Sequence, residues 1–561
     1  MAIKKYTANA DTTIVNAYQP NLSLRGTGSN MGEADILEVF SIYGRATTSS
    51  AELSRALIKF PVTSISTDRT NGVIPASGSV SFYLRMYDAQ HSKTVPVDYK
   101  LSVLSVSQSW EEGIGLDLEE YTDKTFGKIG CNWMSASKTT YWTDKAGQVL
   151  AGGSYHTGSS DTETFLLTQT FSTGLEDLEL DITPIVEQWI ASTYTNYGLG
   201  VHMSASYEAF WSGSANTITS RMPGEPAADA DDSTQSVIYN PSGSKSSYYT
   251  KRFFAKGTQY FFKRPTIEAR WNDIVRDDRA DFQLSSSIAS AANNLNTLYL
   301  YNYVRGQLAD LPNLGADKRI YVSIFSGSVG TLDDVAPSDT PHSGSTGSVQ
   351  VLSADDGGHV RSGYLTVVTG GIVSTGIYSA SFAFTGSSTL ETIYDVWFSG
   401  SHNTTNAYDA ITQYFTGSAK LKTPRSSPTI SRPSYYLNVT NLRHSYNGND
   451  TVRFNLYVRE KNWSPTIYNV ASSSPETTTI HSASYRVYRT MDAYEAIPYG
   501  TGSHLRTGLS YDVSGNYFNL DMKLLDPGYE YALKFAFYDN KLSAWIEQDN
   551  AFKFRVEDYE Y

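Results

Sequence analysis

Apolar and polar residues alternate with a period of two along many short stretches of this chain. The alternation is clear in Ser54–Phe60 and Val80–Tyr87, and it returns near the end in Thr451–Val458 and Tyr529–Tyr538. A period of two places every second side chain on the same face of a strand, so these stretches predict half-buried β-strands. Turn-forming residues separate them, as in Pro75–Gly78. The pattern therefore predicts an all-β chain of short strands.

One segment follows helical spacing instead. In Thr183–Ser192 the apolar positions recur every three or four residues, at Ile185, Val186, Trp189 and Ile190. This spacing predicts a short helix with one buried face. Thr183 is placed to cap it, and Pro184 suits the first helical position.

Composition along the chain predicts three segments. The first ends near residue 275 and contains a long polar insertion at residues 213–247. Asp277-Asp278-Arg279 predicts a charged linker, and Lys422–Pro428 predicts a second linker. The regions that follow the two linkers, residues 280–425 and 429–561, each carry several strand-like runs and resemble immunoglobulin or fibronectin β-sandwiches.

A short pattern recurs five times, in which an aromatic residue is followed by Ser or Thr and then by Gly-Ser. Its copies begin at Trp211, Phe325, Phe384, Phe398 and Phe415. We interpret each copy as the end of a strand whose last aromatic residue anchors the core and whose glycine takes a positive φ. The irregular spacing of the copies argues against a solenoid repeat.

Charge narrows the class of protein. The chain has 44 Lys and Arg against 57 Asp and Glu, which leaves a net charge of −13. This acidic balance, with no run of basic residues, argues against nucleic-acid binding and against attachment to anionic membranes. No apolar stretch approaches the ~20 residues that span a bilayer. We therefore expect neither a nucleic-acid partner nor membrane insertion.

The N-terminus and the cysteine content indicate synthesis in a reducing compartment. Met1–Tyr6 leads directly into the polar Thr7–Asp11, without the apolar core of a signal peptide. Cys131 is the single cysteine, so the chain cannot form an internal disulfide or a multi-cysteine metal site. We expect a protein made in the host cytoplasm that acts outside the cell without secretion, as virion proteins do.

Candidate chemistry is sparse. No phosphate-binding loop, nucleophile elbow or paired-histidine zinc motif occurs, so we expect no enzymatic activity. The densest acidic cluster contains Glu111, Glu112, Asp117 and Glu119. Such a loop could supply several of the roughly six to eight oxygens that Ca²⁺ prefers, although we favour a solvated acidic loop. No other cofactor is expected.

Four aromatic residues follow the acidic cluster, namely Trp133, Tyr141, Trp142 and Tyr155. Aromatic faces stack on sugar rings while the polar tips form hydrogen bonds, so this set is a candidate surface for a glycan or a protein partner. Packing in the core is the alternative. A glycosidase would need two converging carboxylates, for example Glu111 and Asp117, whose separation the sequence does not show.

The first segment contains an ordered series of short motifs: Asp11–Ile14, Ser54–Phe60, Trp110-Glu111-Glu112, Leu180–Thr183 with Trp189, and Arg264-Pro265. The series resembles the DNRLRE family of jelly-roll modules, which are related to carbohydrate-binding modules. The resemblance covers about residues 5–275 and implies an N-terminal jelly-roll β-sandwich over residues 1–275. The stretches 113–165 and 207–260 are longer than is usual in the family, and no family binding residue is carried over.

The whole chain, with its Ser-Gly-Ser turns and its lack of an apolar leader, resembles virion structural proteins of cyanophages and related marine tailed phages. This implies a non-enzymatic structural component on the exterior of the neck, tail or capsid, which mediates particle assembly and surface attachment. The implied partners are other virion proteins, further copies in a symmetric homo-oligomer, and a host surface glycan. A glycan-binding adhesin or receptor-binding module is the alternative, and a polysaccharide depolymerase is the third hypothesis.

Overall fold

A computed structural model of the chain contains two compact units, Ala2–Asn272 and Asp273–Tyr561. The described ranges are 2–20, 25–43, 51–90, 95–116, 130–156, 166–211, 238–245, 248–286, 289–312, 314, 320–326, 343–345, 351–353, 368–385, 392–402, 408–421, 434–461, 477–500 and 505–558. Strands account for nearly all regular structure in both units, which confirms the predicted all-β fold class.

The first unit is built from short strands and two helices. The strands are β1 Ile3–Thr7, β2 Ala10–Val15, β3 Ile36–Tyr43, β4 Ala51–Lys59, β5 Val80–Met86, β6 Tyr99–Ser105, β7 Ser135–Ser137, β8 Thr140–Thr143, β9 Val149–Leu150, β10 Leu167–Phe171, β11 Leu178–Asp181, β12 Leu199–Met203, β13 Tyr248–Phe254 and β14 Thr266–Trp271. The helices are α1 Val62–Thr70 and α2 Thr183–Ile190.

Two antiparallel sheets form a sandwich in this unit. One is four-stranded, in the order β1-β14-β5-β11, and the other is seven-stranded, in the order β10-β6-β12-β4-β3-β13 with β2 also paired to β4. The chain crosses between the sheets from β1 to β2, from β4 to β5, from β5 to β6, from β10 to β11, from β11 to β12 and from β13 to β14. Such repeated crossing between two facing sheets is the arrangement of a jelly-roll β-sandwich.

Alternating side chains fill the space between the two sheets. Along β5, every second residue is buried, beginning at Val80 and ending at Met86. These residues share one core with Leu101 and Val103 of β6 and with Val201 of β12. The period of two read from the sequence therefore identifies the core face of this strand.

The seven-stranded sheet is covered on its outer face as well. Its central strand β4 is buried along almost its whole length, from Ala51 to Ile58. Leu53 and Leu57 pack against a second core that includes Trp133 and Trp142 from the segment 130–156. That segment carries the small sheet β7-β8-β9. Segment 130–156 thus forms a third layer over the sandwich.

The predicted helix is confirmed as α2, which buries Ile185, Val186 and Trp189. Thr183 does not cap it by the expected bond, because its hydroxyl accepts from the Phe82 amide and donates to the Asp181 carboxylate. Helix α1 was not expected from the sequence, since only two of its residues, Val62 and Ile65, are buried. Within the described residues, neither helix has the length and apolar content needed to cross a bilayer.

The second unit is built from strands and short 3₁₀ turns. Its strands are β15 Leu295–Tyr301, β16 Tyr303–Val304, β17 Gln307–Leu308, β18 Ile320–Ser326, β19 Ser343–Ser345, β20 Val351–Ser353, β21 Val368–Ser374, β22 Ile377–Thr385, β23 Thr392–His402, β24 Tyr408–Lys420, β25 Tyr435–Val439, β26 Ser445–Asn447, β27 Thr451–Glu460, β28 Ala483–Arg489, β29 Glu495–Ile497, β30 Ser510–Asp512, β31 Gly515–Asp521, β32 Glu530–Asp539, β33 Ala544–Glu547 and β34 Phe552–Glu557.

Several sheets make up this unit. Its earlier part holds an eight-stranded sheet, in the order β19-β20-β22-β21-β18-β23-β24 with β15 on β22. Its later part pairs a four-stranded sheet, β25-β27-β31-β30, with a six-stranded one, β26-β34-β32-β28-β29 plus β33. In the later part, Phe518 of β31 stacks on Tyr485 of β28 with ring centroids 4.1 Å apart, so the two sheets share an aromatic core. The division of this unit into separate domains at 280–425 and 429–561 stays a prediction.

The charged segment at residues 277–279, expected to be a linker, is a partly buried strap. Asp277 is only 4% exposed, and Arg279 forms ion pairs with Asp277 and with Asp395 of β23. On the other side, the Tyr511 hydroxyl of β30 donates to Asp278 at 2.7 Å. The strap therefore bonds to strands from both parts of the second unit, which a solvated linker would not do.

The recurring aromatic-Gly-Ser pattern has a different meaning in two of its copies. Those that begin at Phe398 and Phe415 lie inside β23 and β24 and do not end them. Phe415 is 41% exposed and so does not anchor the core. Gly417 instead faces Asp395 across the ladder, where an added Cβ would lie 2.6 Å from the Asp395 carboxylate. This glycine serves a close approach between neighbouring strands.

Candidate functional site

The two described carboxylates of the predicted cation loop are engaged by protein groups. The Lys256 ammonium lies 2.9 Å from Glu112 Oε1, which also accepts the Asp11 amide at 2.8 Å. The Gly130 amide donates to Glu111 at 3.4 Å. The other two members, Asp117 and Glu119, lie outside the described residues, and the described part of the chain holds no group of three or more His, Cys, Asp or Glu suited to a metal.

A buried carboxyl group, Asp11, lies beside Glu112 and was not singled out from the sequence as a titrating group. Its Oδ2 accepts the Lys256 amide at 2.5 Å, and the residue is 1% exposed. Burial raises the pKa of Asp11 to about 7; the Lys256 amide opposes the rise and the Glu112 charge adds to it. Asp11 therefore changes its charge near neutral pH.

The two tryptophans proposed for glycan binding are core residues. Trp133 and Trp142 are fully buried, and both belong to the outer core over the seven-stranded sheet. The Trp142 indole donates to the Asn132 carbonyl at 2.8 Å. Their ring faces are covered by protein, so neither presents a platform on which a sugar could stack. The structure matches the alternative interpretation, packing in the core.

The two tyrosines of the same set are partly buried against that core. The Tyr155 hydroxyl donates to the Gly152 carbonyl at 3.1 Å, and burial raises the pKa of Tyr155 to about 12. Tyr141 contributes its main-chain carbonyl, which accepts from the Gln108 amide at 2.7 Å. The four aromatic residues thus lie in or against one core, as the inner face of a covering layer.

A buried charge network that sequence reasoning missed fastens this layer to the sheet. Arg55 of β4 is 7% exposed and Glu208 is 4% exposed. Three guanidinium–carboxylate contacts of 3.0 to 3.2 Å join them, and Arg55 also donates to the Gly152 carbonyl at 2.9 Å. The guanidinium lies 5.7 Å from the Trp133 ring. Arg55 directly precedes the apolar run Ala56-Leu57-Ile58, and this was the sequence signal for such a partner.

His202 of β12 completes the network. Its Nδ1 lies 3.6 Å from Glu208 Oε1 and 2.7 Å from the Met203 carbonyl oxygen. Burial, with the nearby Arg55 charge, lowers the pKa of His202 to about 4. The imidazole is therefore neutral at physiological pH, and the network carries one buried Arg–Glu pair.

A surface cleft of about 510 Å³ lies where β4 runs into α1 and where α2 ends. Its walls carry hydroxyl, amide and aromatic groups and one cation, including Lys59, Thr63, Ser66, Trp189, Tyr194 and Asn196. Ser192 in the wall has a φ of 59°, which is unusual for a residue other than glycine. A second cleft, of about 420 Å³, is lined by Asn441, Arg443, Tyr446, Asp450 and Arg453.

Comparison with known proteins adds little. No protein-family model matches the chain, and no curated protein is similar to it. A solved structure of a DUF4785 family protein from Legionella pneumophila aligns over 92% of this chain and 90% of its own, at 9% identity and a TM-score of 0.12. A likeness at that TM-score carries no information on function.

Proposed function

We propose that this chain is a non-enzymatic structural component of a tailed bacteriophage virion. Its place is on the exterior of the neck, tail or capsid, where it mediates particle assembly and attachment to surfaces. The proposal rests on the sequence resemblance to virion structural proteins and on the charged side chains that form buried ion pairs within the fold.

One observation carries the proposal: the groups that could perform chemistry are used to join layers of the fold. Arg55 of the seven-stranded sheet pairs with Glu208 and donates to the Gly152 carbonyl of the covering segment. Arg279 and its carboxylate partners fasten the strap within the second unit. Paired, buried charges of this kind specify one arrangement of sheets. Such rigidity suits a protein that supplies contact area in a large assembly.

The test is mass spectrometry of gradient-purified virions of the phage that carries the gene. We expect the chain in intact particles, in a copy number that is a multiple of the symmetry at its position. Absence from intact particles, with detection in the lysate, would refute the proposal. Light scattering of the purified chain tests the homo-oligomer separately, since a monomer at all concentrations would exclude self-assembly before particle formation.

A glycan-binding role is the second candidate, and the cleft beside α1 and α2 is the observation that favours it. Its volume of about 510 Å³ lies within the range of small-ligand sites. Hydroxyl and amide groups from separate chain segments line it beside Tyr194, which suits a polyhydroxylated ligand. None of the described lining residues is a carboxylate, so the cleft fits sugar binding and offers no acid pair for cleavage.

A glycan array probed with the full chain, labelled and multimerised, tests this second role. Tyr194→Ala should abolish binding, while Tyr248→Ala, at an exposed tyrosine on β13, should leave it unchanged. Multivalent display is needed because a single weak site gains about 10²–10⁴ in avidity when several copies engage one surface. Equal binding by the two variants would refute the assignment of the cleft.

A further inference from the structure

The segment Tyr248–Arg264 differs in charge from the rest of this acidic chain. It contains five Lys or Arg residues and no Asp or Glu, although acidic residues outnumber basic ones in the whole chain by 57 to 44. It also contains seven aromatic residues. The segment comprises the edge strand β13 and the turn that leads to β14.

Three of the five cations are neutralised within the first unit. Lys251 pairs with Asp88 at 2.5 Å, Arg252 with Glu38 at 3.0 Å, and Lys256 with Glu112 at 2.9 Å. The remaining two, Lys263 and Arg264, form no ion pair with a carboxylate of the described residues. Arg264 is close enough to the buried Asp11 to lower the pKa of that carboxyl, so the positive charge that remains at the turn before β14 is mainly that of Lys263.

These two cations lie on aromatic rings that face the solvent. Tyr260 and Phe261 are each 53% exposed. The Lys263 ammonium lies 5.9 Å from the Tyr260 ring centroid and 4.8 Å from that of Phe254, and the Arg264 guanidinium lies 5.1 Å from that of Phe261. We call Phe254, Tyr260, Phe261, Lys263 and Arg264 the basic aromatic turn.

The turn is held in place before any partner arrives. Arg264 donates through Nε and through its terminal nitrogen to the Thr258 carbonyl, at 3.2 and 3.0 Å. Phe254 meets Tyr260 edge-on with ring centroids 5.6 Å apart. A 3₁₀ turn at Phe261–Lys263 fixes the main chain. A preorganised surface loses little conformational entropy when a partner binds.

From this we propose that the basic aromatic turn is a docking surface for an acidic protein partner. This inference rests on the proposed structural role, and it describes the chemistry of the virion protein that would lie next to this chain. Tyrosine, phenylalanine and arginine are enriched at the centres of protein interfaces. The unneutralised charge would pair with carboxylates on the partner. The exposed rings would pack against apolar or aromatic side chains that lie between those carboxylates. Two cations are too few for the phosphate contacts on which nucleic-acid binding depends.

The first test measures binding of the full chain to a fluorescent Glu–Tyr random copolymer as a function of salt. We expect binding that weakens as salt rises, since exposed charges are screened. Phe261→Ser should weaken it by about tenfold or more, the loss typical of a central interface residue. Lys263→Gln should weaken it less and flatten the salt dependence. Tyr248→Ser, at a tyrosine that is 66% exposed outside the turn, is the matched control and should bind as the unmodified chain does.

Other results of the same assay overturn the inference. Equal binding of poly-Glu would show that the rings contribute nothing, and tighter binding of alginate would identify an acidic polysaccharide as the ligand. Unchanged binding by both Phe261→Ser and Lys263→Gln, with melting temperatures kept, would place the copolymer site elsewhere. If Phe261→Ser or Lys263→Gln fails to fold, the other variant alone is sufficient for this test.

The second test separates this inference from the structural role itself. Virions assembled with the Phe261→Ser chain should contain less of it than virions with the Tyr248→Ser chain. Equal incorporation of the two variants overturns the docking surface while the proposed structural role stands. Absence of the unmodified chain from virions refutes the structural role, and the copolymer measurement still decides whether the turn binds acidic chains.

Discussion

Removing Glu208 should strongly destabilise the first unit. The substitution Glu208→Leu would leave Arg55, which is 7% exposed, with its Gly152 hydrogen bond and its neighbouring rings but without its carboxylate. Breaking a buried ion pair from one side costs about 3–5 kcal/mol, because the remaining charge stays desolvated. At about 2–4 °C per kcal/mol for a unit of this size, we expect the melting temperature to fall by about 10 °C.

The double variant Arg55→Met/Glu208→Leu tests whether the loss of stability comes from the unpaired charge of Arg55. It removes both charges and fills the space with apolar side chains, so it should regain most of the lost stability. Differential scanning calorimetry of the full chain measures the shift, and hydrogen exchange of peptides from residues 130–156 shows whether the covering segment opens first. A double variant as unstable as Glu208→Leu, or a single variant that loses less than about 1 kcal/mol, would show that the pair does not hold this layer.

Three further predictions concern pH and backbone geometry. Although burial favours the neutral form, Lys5, Arg270 and Arg85 lower the pKa of Glu268 to about 2; its stabilising effect should be complete above pH ~4.5 and be lost toward pH 2, and acid titration of Glu268→Gln should lack this slope. The effect of Asp11 on stability has the opposite pH dependence, because its pKa of about 7 in the folded protein lies above the ordinary value of 3.8. Stability should therefore fall as pH rises from about 4 to 7, and melting temperatures of Asp11→Asn should lack that decline. Gly198→Ala, at a φ of +94° and with its Cβ 2.2 Å from the Ile58 carbonyl oxygen, should cost about 2–3 kcal/mol in denaturant titrations, whereas Gly72→Ala, with open space around it, should cost about 1 kcal/mol.

Much of the fold could be predicted because its cause is local. Alternation in Val80–Met86 and in Thr451–Val458 reports which face of each strand is buried, and both stretches are strands in the structure. Helix α2 was predictable for the same reason, since its apolar face recurs at helical spacing. Helix α1 was not, because a helix that buries only Val62 and Ile65 carries almost no periodic signal.

The candidate site depended on information that a single sequence does not carry. Trp133 and Trp142 have the composition of a sugar-binding surface, but the covering segment folds back on β4 and buries both rings. Which of two sheet faces an insertion covers is decided by tertiary packing over long sequence separations. The same holds for Arg55, whose partner Glu208 is 153 residues away. Asp277-Asp278-Arg279 was predicted to be a charged linker for the same reason, because its partners Asp395 and Tyr511 are distant in the sequence.

The third layer over the seven-stranded sheet limits how this unit can be shortened. In a two-layer sandwich an insertion can be trimmed because it covers only solvent-facing polar positions. Here a deletion of residues 130–156 would uncover Leu53 and Leu57 and strip the buried Arg55 of the Gly152 carbonyl. The truncated protein would expose an apolar patch around Leu53 and Leu57 and should aggregate. Segment 130–156 is therefore required for the first unit to stay in solution, although it is an insertion in the sequence.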